Sequence, residues 1–339
     1  MNSSSVEHCP PVPYFHVDGA RIVCEICPVH CKLSEGQVGI CRGRGVVDGE
    51  LVALNYGRVV SFNHDPIEKK PLYHFLPGAN IASVGPNGCN LRCKWCQNCE
   101  ISQFDAPTRY IPPEILAERA MEHRSVGLAY TYAEPMIWFE TIRDTAPLVR
   151  KAGGVNVLVT NGYVDENPLE ELLPLIDAAN VDLKFADPRL YKTGSGARLD
   201  VVQRTIKRMV EAGVHVEITH LLVTGMSDNE QGVHQIAEWV ASLDENIPLH
   251  LSRYFPRHLV SEPPTLLEFM ERAWDVARTS LRYVYLGNIS TRRGADTLCP
   301  SCGATAVRRS GWAVDASGVR GDGSCASCGT PLSIHLVKP

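Results

Sequence analysis

Between residues 80 and 290, short apolar runs rich in β-branched residues alternate with longer stretches whose apolar positions recur every three or four residues. This alternation predicts successive β-α units. Strands are expected at 81–84, 127–132, 155–160, 181–185, 215–223, 250–254 and 283–286, with helices at 113–123, 137–152, 201–212, 229–243 and 265–279. Pro113 stands where a first-turn proline is tolerated, and Gly127, Gly153 and Gly213 stand where helices should stop. Six or seven such units in about 210 residues predict an α/β fold, a parallel (β/α) barrel, partial or complete, with its chemistry at the C-terminal strand ends. A doubly wound sheet is the structural alternative.

The flanks break the pattern. Residues 1–75 and 293–339 are rich in glycine and cysteine, with turn signals such as Asp18-Gly19 and Asp48-Gly49, and read as small metal-stabilised modules on either side of a barrel at 76–292. The formal charge, −5, comes without a basic tract, which argues against nucleic acid as a partner. No apolar run is long enough to span a membrane, and residues 1–13 lack a signal-peptide pattern, so a cytoplasmic protein with no membrane association is expected.

Thirteen cysteines are an excess for such a compartment, where thiols stay reduced, and metal is the first explanation. Twelve fall into three groups, 24–41, 89–99 and 299–328; Cys9 stands alone. The central group follows the first predicted barrel strand as Gly88-Cys89-Asn90-Leu91-Arg92-Cys93-Lys94-Trp95-Cys96-Gln97-Asn98. Three thiolates on one loop hold three irons of a cubane and leave the fourth open, as a centre that binds a substrate requires.

This C-x-x-x-C-x-x-C run, with an aromatic before the last cysteine, resembles the signature of radical S-adenosylmethionine (SAM) enzymes. The resemblance implies a [4Fe-4S] cluster on Cys89, Cys93 and Cys96 that binds SAM at its unique iron and cleaves it to a 5'-deoxyadenosyl radical. It also implies a SAM cradle at the ends of the following strands: Glu134 after Tyr130-Thr131-Tyr132-Ala133, Asn161 in Thr160-Asn161-Gly162, and Asp182 with Lys184, read as two residues on one face of the fourth strand. A solvated helix-start carboxylate and an internal salt bridge are the plainer readings of Glu134 and of the Asp182/Lys184 pair. His220, His250, Arg253, Tyr254 and Asn288 are further candidates for substrate contact on the later strands.

Asp65-Pro66-Ile67-Glu68-Lys69-Lys70-Pro71-Leu72-Tyr73-His74-Phe75, together with Cys96-Gln97-Asn98 and Glu100-Ile101-Ser102, narrows the resemblance to the radical SAM member of the AmmeMemoRadiSam system, which is similar to pyruvate formate-lyase activating enzymes. That implies a one-electron reductant such as flavodoxin or ferredoxin, with Memo-like and AMMECR1-like proteins as further partners. It does not specify the substrate. Cys99 departs from the pattern, standing where an aromatic is expected, and reads as a structural thiol ahead of a spare ligand. Installing a radical on a protein glycine is the alternative enzymatic reading, and a non-catalytic iron–sulfur carrier or scaffold is the non-enzymatic one. An electron carrier has no need of the polar groups at Glu134, Asp182 and Lys184.

Two closed sets of four thiols complete the inventory. Cys299-Pro300-Ser301-Cys302 and Cys325-Ala326-Ser327-Cys328 have the spacing of a zinc ribbon. Cys24, Cys27, Cys31 and Cys41 are unevenly spaced and fit zinc or a second cubane; zinc is favoured, since many small cysteine modules use it for folding alone, and His30 is a possible substitute ligand.

Overall fold

The structure, a computed structural model, describes residues 8–336. At its centre lies an eight-stranded sheet whose spatial order follows the chain: β1 (Ser61–Pro66), β2 (Asn80–Gly85), β3 (Ser125–Tyr130), β4 (Val155–Thr160), β5 (Ala178–Asp182), β6 (His215–Leu222), β7 (Leu249–Arg253) and β8 (Val284–Gly287). β1 runs antiparallel to β2, and every later pairing is parallel. β1 and β8 are the two edges, so the sheet is an open, partial barrel. Its register pairs Tyr130 with Val84 and Leu158, Thr160 with Val181, and Asp182 with Thr219, which brings the C-terminal ends of successive strands to one rim.

Helices α1 (Pro113–Ala120), α2 (Phe139–Lys151), α3 (Glu166–Leu172), α4 (Pro188–Ser195), α5 (Leu199–Glu211), α6 (Glu230–Leu243) and α7 (Leu267–Arg278) connect the parallel strands. Their apolar period explains the packing. Phe139, Ile142, Ala146 and Val149 of α2 and Val202, Ile206 and Met209 of α5 recur on single faces and are fully buried, each larger side chain contributing about 1.5–3 kcal/mol. Among the described residues, no helix is long and apolar enough to cross a membrane.

Several expectations change. The strand expected at 181–185 runs instead from Ala178 to Asp182; Leu183 and Phe185 are buried in the segment beyond its end, and Lys184 lies outside it. Gly127 does not stop a helix. It sits inside β3 at φ +152°, where a Cβ would come within 2.0 Å of the Val155 carbonyl oxygen, while the preceding helix ends at Ala120. β1, within the expected N-terminal module, joins the central sheet. α3 and α4 were not foreseen.

The flanks carry small antiparallel sheets: Phe15–Asp18, Arg21–Cys24 and Lys32–Leu33; Arg44–Val47 with Glu50–Ala53; and Thr297–Leu298, Thr305–Ser310 and Ala313–Asp315 in the tail. The tail is tied to residues 73–76. Arg309 donates to the Tyr73 carbonyl (2.7 Å) and lies over its ring, and His335 exchanges backbone hydrogen bonds with His74 and Leu76.

Candidate active site

The cysteine loop leaves the rim directly after β2 and is clamped at both ends. Arg92 N donates to the Ser195 carbonyl at the end of α4 (2.9 Å), Gly88 N donates to Ile101 O (2.7 Å), and Trp95 is buried edge-on against Phe185. Cys89, Cys93 and Cys96 line one cavity of about 390 Å³. Cys89 Sγ accepts from Leu91 N (3.3 Å) and Asn161 Nδ2 (3.6 Å), and Cys96 Sγ lies 3.1 Å from Ser102 Oγ. Such donors stabilise a thiolate and tune whatever it ligates. Cys99 opens the helical turn Cys99–Ser102, is buried, and does not line the cavity.

Glu134, Asn161, Asp182 and Lys184 all line the same cavity. Glu134 is buried, with Oε1 accepting from Met136 N (2.9 Å) and Thr160 Oγ1 (2.6 Å) and Oε2 from Asn161 N (2.8 Å). A carboxylate has about four acceptor positions, so one stays available on Oε2. Burial raises the acid to about 7, against the pull of those three bonds and of Lys184. Lys184 Nζ bonds Asp182 Oδ2 at 2.8 Å; burial pulls the ammonium down, but Asp182 and Cys93 more than reverse it, so the lysine is a cation. The salt bridge is therefore real, and it sits at the cavity.

The later candidates separate. Asn288 lines the cavity and is held by Ser252 Oγ. His250 lines an adjoining cavity of about 580 Å³ and is bonded to buried Glu217 at 2.6 Å. Arg253 and Tyr254 are spent on the carbonyls of Thr265 and Val260. His220 bonds the Leu183 carbonyl and faces a different cavity, so it does not reach the cysteine loop.

Residues 84–240 match the family model described as the Radical SAM superfamily, and that stretch carries the three-cysteine loop together with Glu134, Asn161, Asp182 and Lys184 of its cavity. The chain belongs to the radical SAM superfamily. It is a radical SAM enzyme with activating-enzyme-like homologues. An uncharacterized protein of Methanocaldococcus jannaschii is 40% identical over 302 residues, covering 87% of this chain and 90% of that one. The pyruvate formate-lyase 1-activating enzyme of Escherichia coli is 23% identical over 174 residues, 49% of this chain and 71% of its own length. A domain of the pyruvate-formate lyase-activating enzyme from Bacteroides vulgatus aligns over 47% of this chain and 98% of its own with a TM-score of 0.42 at 18% identity.

The residues present fit the cluster and SAM that radical SAM enzymes use. Three thiols open onto a cavity with room for a nucleoside-sized ligand, and a buried carboxylate, a partly buried ammonium and an amide wait on its wall. Besides Asn288, which the sequence offered as a candidate, the wall shared between the two cavities includes Lys70, Tyr132, Thr219 and Ser252, none of them expected as site residues. Tyr132, in left-handed backbone at φ +68°, donates to Asp65 Oδ2 (2.8 Å), and Lys70 bonds the same oxygen (2.9 Å). Burial would raise Asp65, but Lys70, Tyr132 and Lys69 hold it well below the usual carboxylate range. A non-glycine residue in that conformation is strained, and such strain clusters at functional sites.

The closed sets differ in geometry. Cys299 Sγ lies 3.6 Å from Cys328 Sγ and Cys302 Sγ 3.8 Å from Cys325 Sγ, and all four sulfurs lie within 4.8 Å of one another. Cys24, Cys27, Cys31 and Cys41 line one small cavity with His30 and Arg44.

Proposed function

We propose that the chain holds a [4Fe-4S] cluster on Cys89, Cys93 and Cys96, binds SAM in the 390 Å³ cavity, and takes hydrogen from a substrate lodged in the adjoining 580 Å³ cavity. When bound, cluster and SAM supply the one-electron cleavage of a sulfonium bond that yields methionine and a 5'-deoxyadenosyl radical. The observation that carries this reading is the convergence of three thiols from one loop with Glu134, Asn161, Asp182 and Lys184 from three strand ends on a single cavity.

The chain's own residues orient and enclose. The available position on Glu134 Oε2 suits an ammonium, and the Lys184 cation suits a carboxylate, the two charges SAM's amino-acid end carries. Leu91, Val159 and Leu221 supply apolar wall between them and exclude water. Asn161 joins both functions, donating to Cys89 Sγ through its side chain and to Glu134 through its backbone. A one-electron donor such as flavodoxin or ferredoxin completes the reaction.

The tail takes zinc in this reading, because a zinc–sulfur bond of about 2.3 Å sets thiolates about 3.8 Å apart in a tetrahedron, close to the 3.6 and 3.8 Å found. Activation of a protein glycine is the second reading, favoured by the similarity to the Escherichia coli activating enzyme. Residues 65–75 favour a place in the AmmeMemoRadiSam system, with Memo-like and AMMECR1-like proteins as partners.

Anaerobic reconstitution with dithionite tests the core of the reading. Wild type should convert SAM to 5'-deoxyadenosine and methionine, and Cys93→Ala should fall to background, since losing one of three thiolates strips an iron of its anionic ligand. Unchanged turnover in Cys93→Ala overturns it.

A further inference from the structure

We infer that Cys24, Cys27, Cys31 and Cys41 hold a second four-iron cluster, closed by four thiolates, beside the SAM-binding one. This reverses the preference for zinc, which rested on the frequent use of zinc for folding in small cysteine modules and not on the ligand spacing. Distances between sulfurs distinguish the two metals. Around one zinc ion the thiolates stand about 3.8 Å apart and leave no space for a water between them. Around a cubane each thiolate sits outside an iron at a corner, roughly 6 Å from its fellows.

The tail meets the first criterion. Among the described residues it is also the one group of three or more cysteine, histidine or acidic side chains whose ligand atoms all lie within 4.8 Å of one another. The N-terminal four face a common cavity, yet no three of their sulfurs all lie within 4.8 Å of one another, and the space among them admits the centre of about one water, ≈ 10 Å³. Cys89, Cys93 and Cys96, the set read as cluster ligands, share that wider spacing. His30 Nε2 is engaged by Asp165 at 2.8 Å, so beside the four thiols only Nδ1 of His30 could add a donor. Arg44, 2% exposed, lines the same cavity and places a cation beside what would be a net anionic group.

Placement argues for a role in electron delivery. Gly88, the residue before Cys89, packs so closely on Cys41 that a Cβ would lie 2.1 Å from the Cys41 carbonyl oxygen. Arg92 of the cysteine loop donates to the Ile40 carbonyl. The two cysteine sets are thus joined by direct backbone packing. A closed cluster there accepts one electron from an external one-electron protein donor and passes it to the open cluster, itself returning to its oxidised state. The relay rests on the function proposed above; the existence of the second cluster does not.

Iron and zinc counts on the anaerobically reconstituted full chain decide the matter. Wild type should hold about eight irons and one zinc, and a Cys89→Ala/Cys93→Ala/Cys96→Ala variant about four irons with cubane absorption retained. Two zincs with no iron in that variant overturn the second cluster. If wild type holds only about four irons and the variant keeps them, the second cluster stands and the SAM-site reading fails. Should the variant not fold, electron paramagnetic resonance of reduced wild type substitutes. Two signals in mutual spin–spin interaction, only one of them shifted by SAM, support the cluster and the relay. A single signal, or two without interaction, overturns the relay, and a single signal with two zincs overturns the cluster.

Discussion

The N-terminal and C-terminal sets each present four thiols, yet the protein around them differs. In the tail, Cys302 and Cys328 are exposed while Cys299 and Cys325 are buried and are themselves two of the seven residues of a separate core that includes Val307, Leu332 and Ile334. Cys24 instead belongs to the main core, alongside Ile26, Leu33 and Val46, and next to it Arg44 forms a 2.8 Å ion pair with Glu140, both buried. Donor number therefore does not settle the metal. What the surrounding fold holds apart, and what it could hold without an ion, does.

The largest expected effect follows from the tail's small core. Zinc bound by four thiolates contributes about 10–16 kcal/mol of apparent folding energy, more than seven buried side chains supply against their own ordering entropy. Cys302→Ser/Cys325→Ser should therefore lose one zinc per chain and expose residues 297–315 to rapid amide exchange, while the barrel strands and the iron content stay as in wild type. Unchanged protection of that segment would break the contrast between the two sets.

Next comes Arg44. Arg44→Met leaves Glu140 buried without its partner, a change that costs about 3–5 kcal/mol, whereas removing both charges as Arg44→Met/Glu140→Leu costs much less. Urea unfolding of both variants checks the ordering. A double variant as unstable as the single one would mean that Arg44 acts through the cysteine set rather than through Glu140.

The parts of this molecule legible in its sequence are those set by local periodicity. The parallel strands and most helices follow from apolar spacing, and the loop carrying Cys89, Cys93 and Cys96 follows from its position after a strand. β1 escaped because its sequence, with Asn63, His64 and Asp65, is polar: it is an edge strand whose outward side needs no apolar residues. β5 was misplaced because Leu183 and Phe185 are as buried as strand residues although they lie beyond the strand end. The salt bridge of Asp182 with Lys184 was the plainer of two readings of that pair, but in the wall built by Lys70, Asp65 and Tyr132 only the Lys70–Asp65 pair is local; Tyr132 meets Asp65 and Lys70 across 67 and 62 residues, which no local pattern reports. Sulfur spacing in the two closed sets is likewise a property of the tertiary structure.

A smaller effect concerns Glu134, whose acid is raised by burial to about 7. An unfolded glutamate titrates near 4.3. Between these values the folded chain holds a proton that the unfolded chain lacks, so this group's contribution to stability is present at low pH and is lost as pH rises toward about 7, with no further change above. Glu134→Gln should flatten that dependence in the metal-free chain. In the reconstituted protein an ammonium favours the ionised carboxylate, so SAM affinity should rise with pH up to about 7 in wild type. The variant should bind SAM about 1.5–3 kcal/mol more weakly, the range for a hydrogen bond to a charged group. Anaerobic calorimetry giving equal affinities at pH 7.5 would remove Glu134 from the SAM site.

The smallest effect tests whether the tail, besides holding its ion, reaches the cavities. Trp312 lies between the tail strands Thr305–Ser310 and Ala313–Asp315, is 58% exposed, stands over Lys69 Nζ at 5.3 Å, and lines the 580 Å³ cavity with Lys70 and Tyr132. An exposed cation–π contact contributes about 0.5–1 kcal/mol, so Trp312→Ala should change unfolding free energy by no more than that and leave zinc and iron counts untouched. Its wall position has a separate consequence. SAM cleavage in the absence of substrate should proceed at the wild-type rate, because the 390 Å³ cavity does not include Trp312, while transfer of deuterium from a labelled cell extract into 5'-deoxyadenosine should fall. Undiminished transfer would confine the tail to a structural part and leave the substrate cavity to the barrel and residues 63–73 alone.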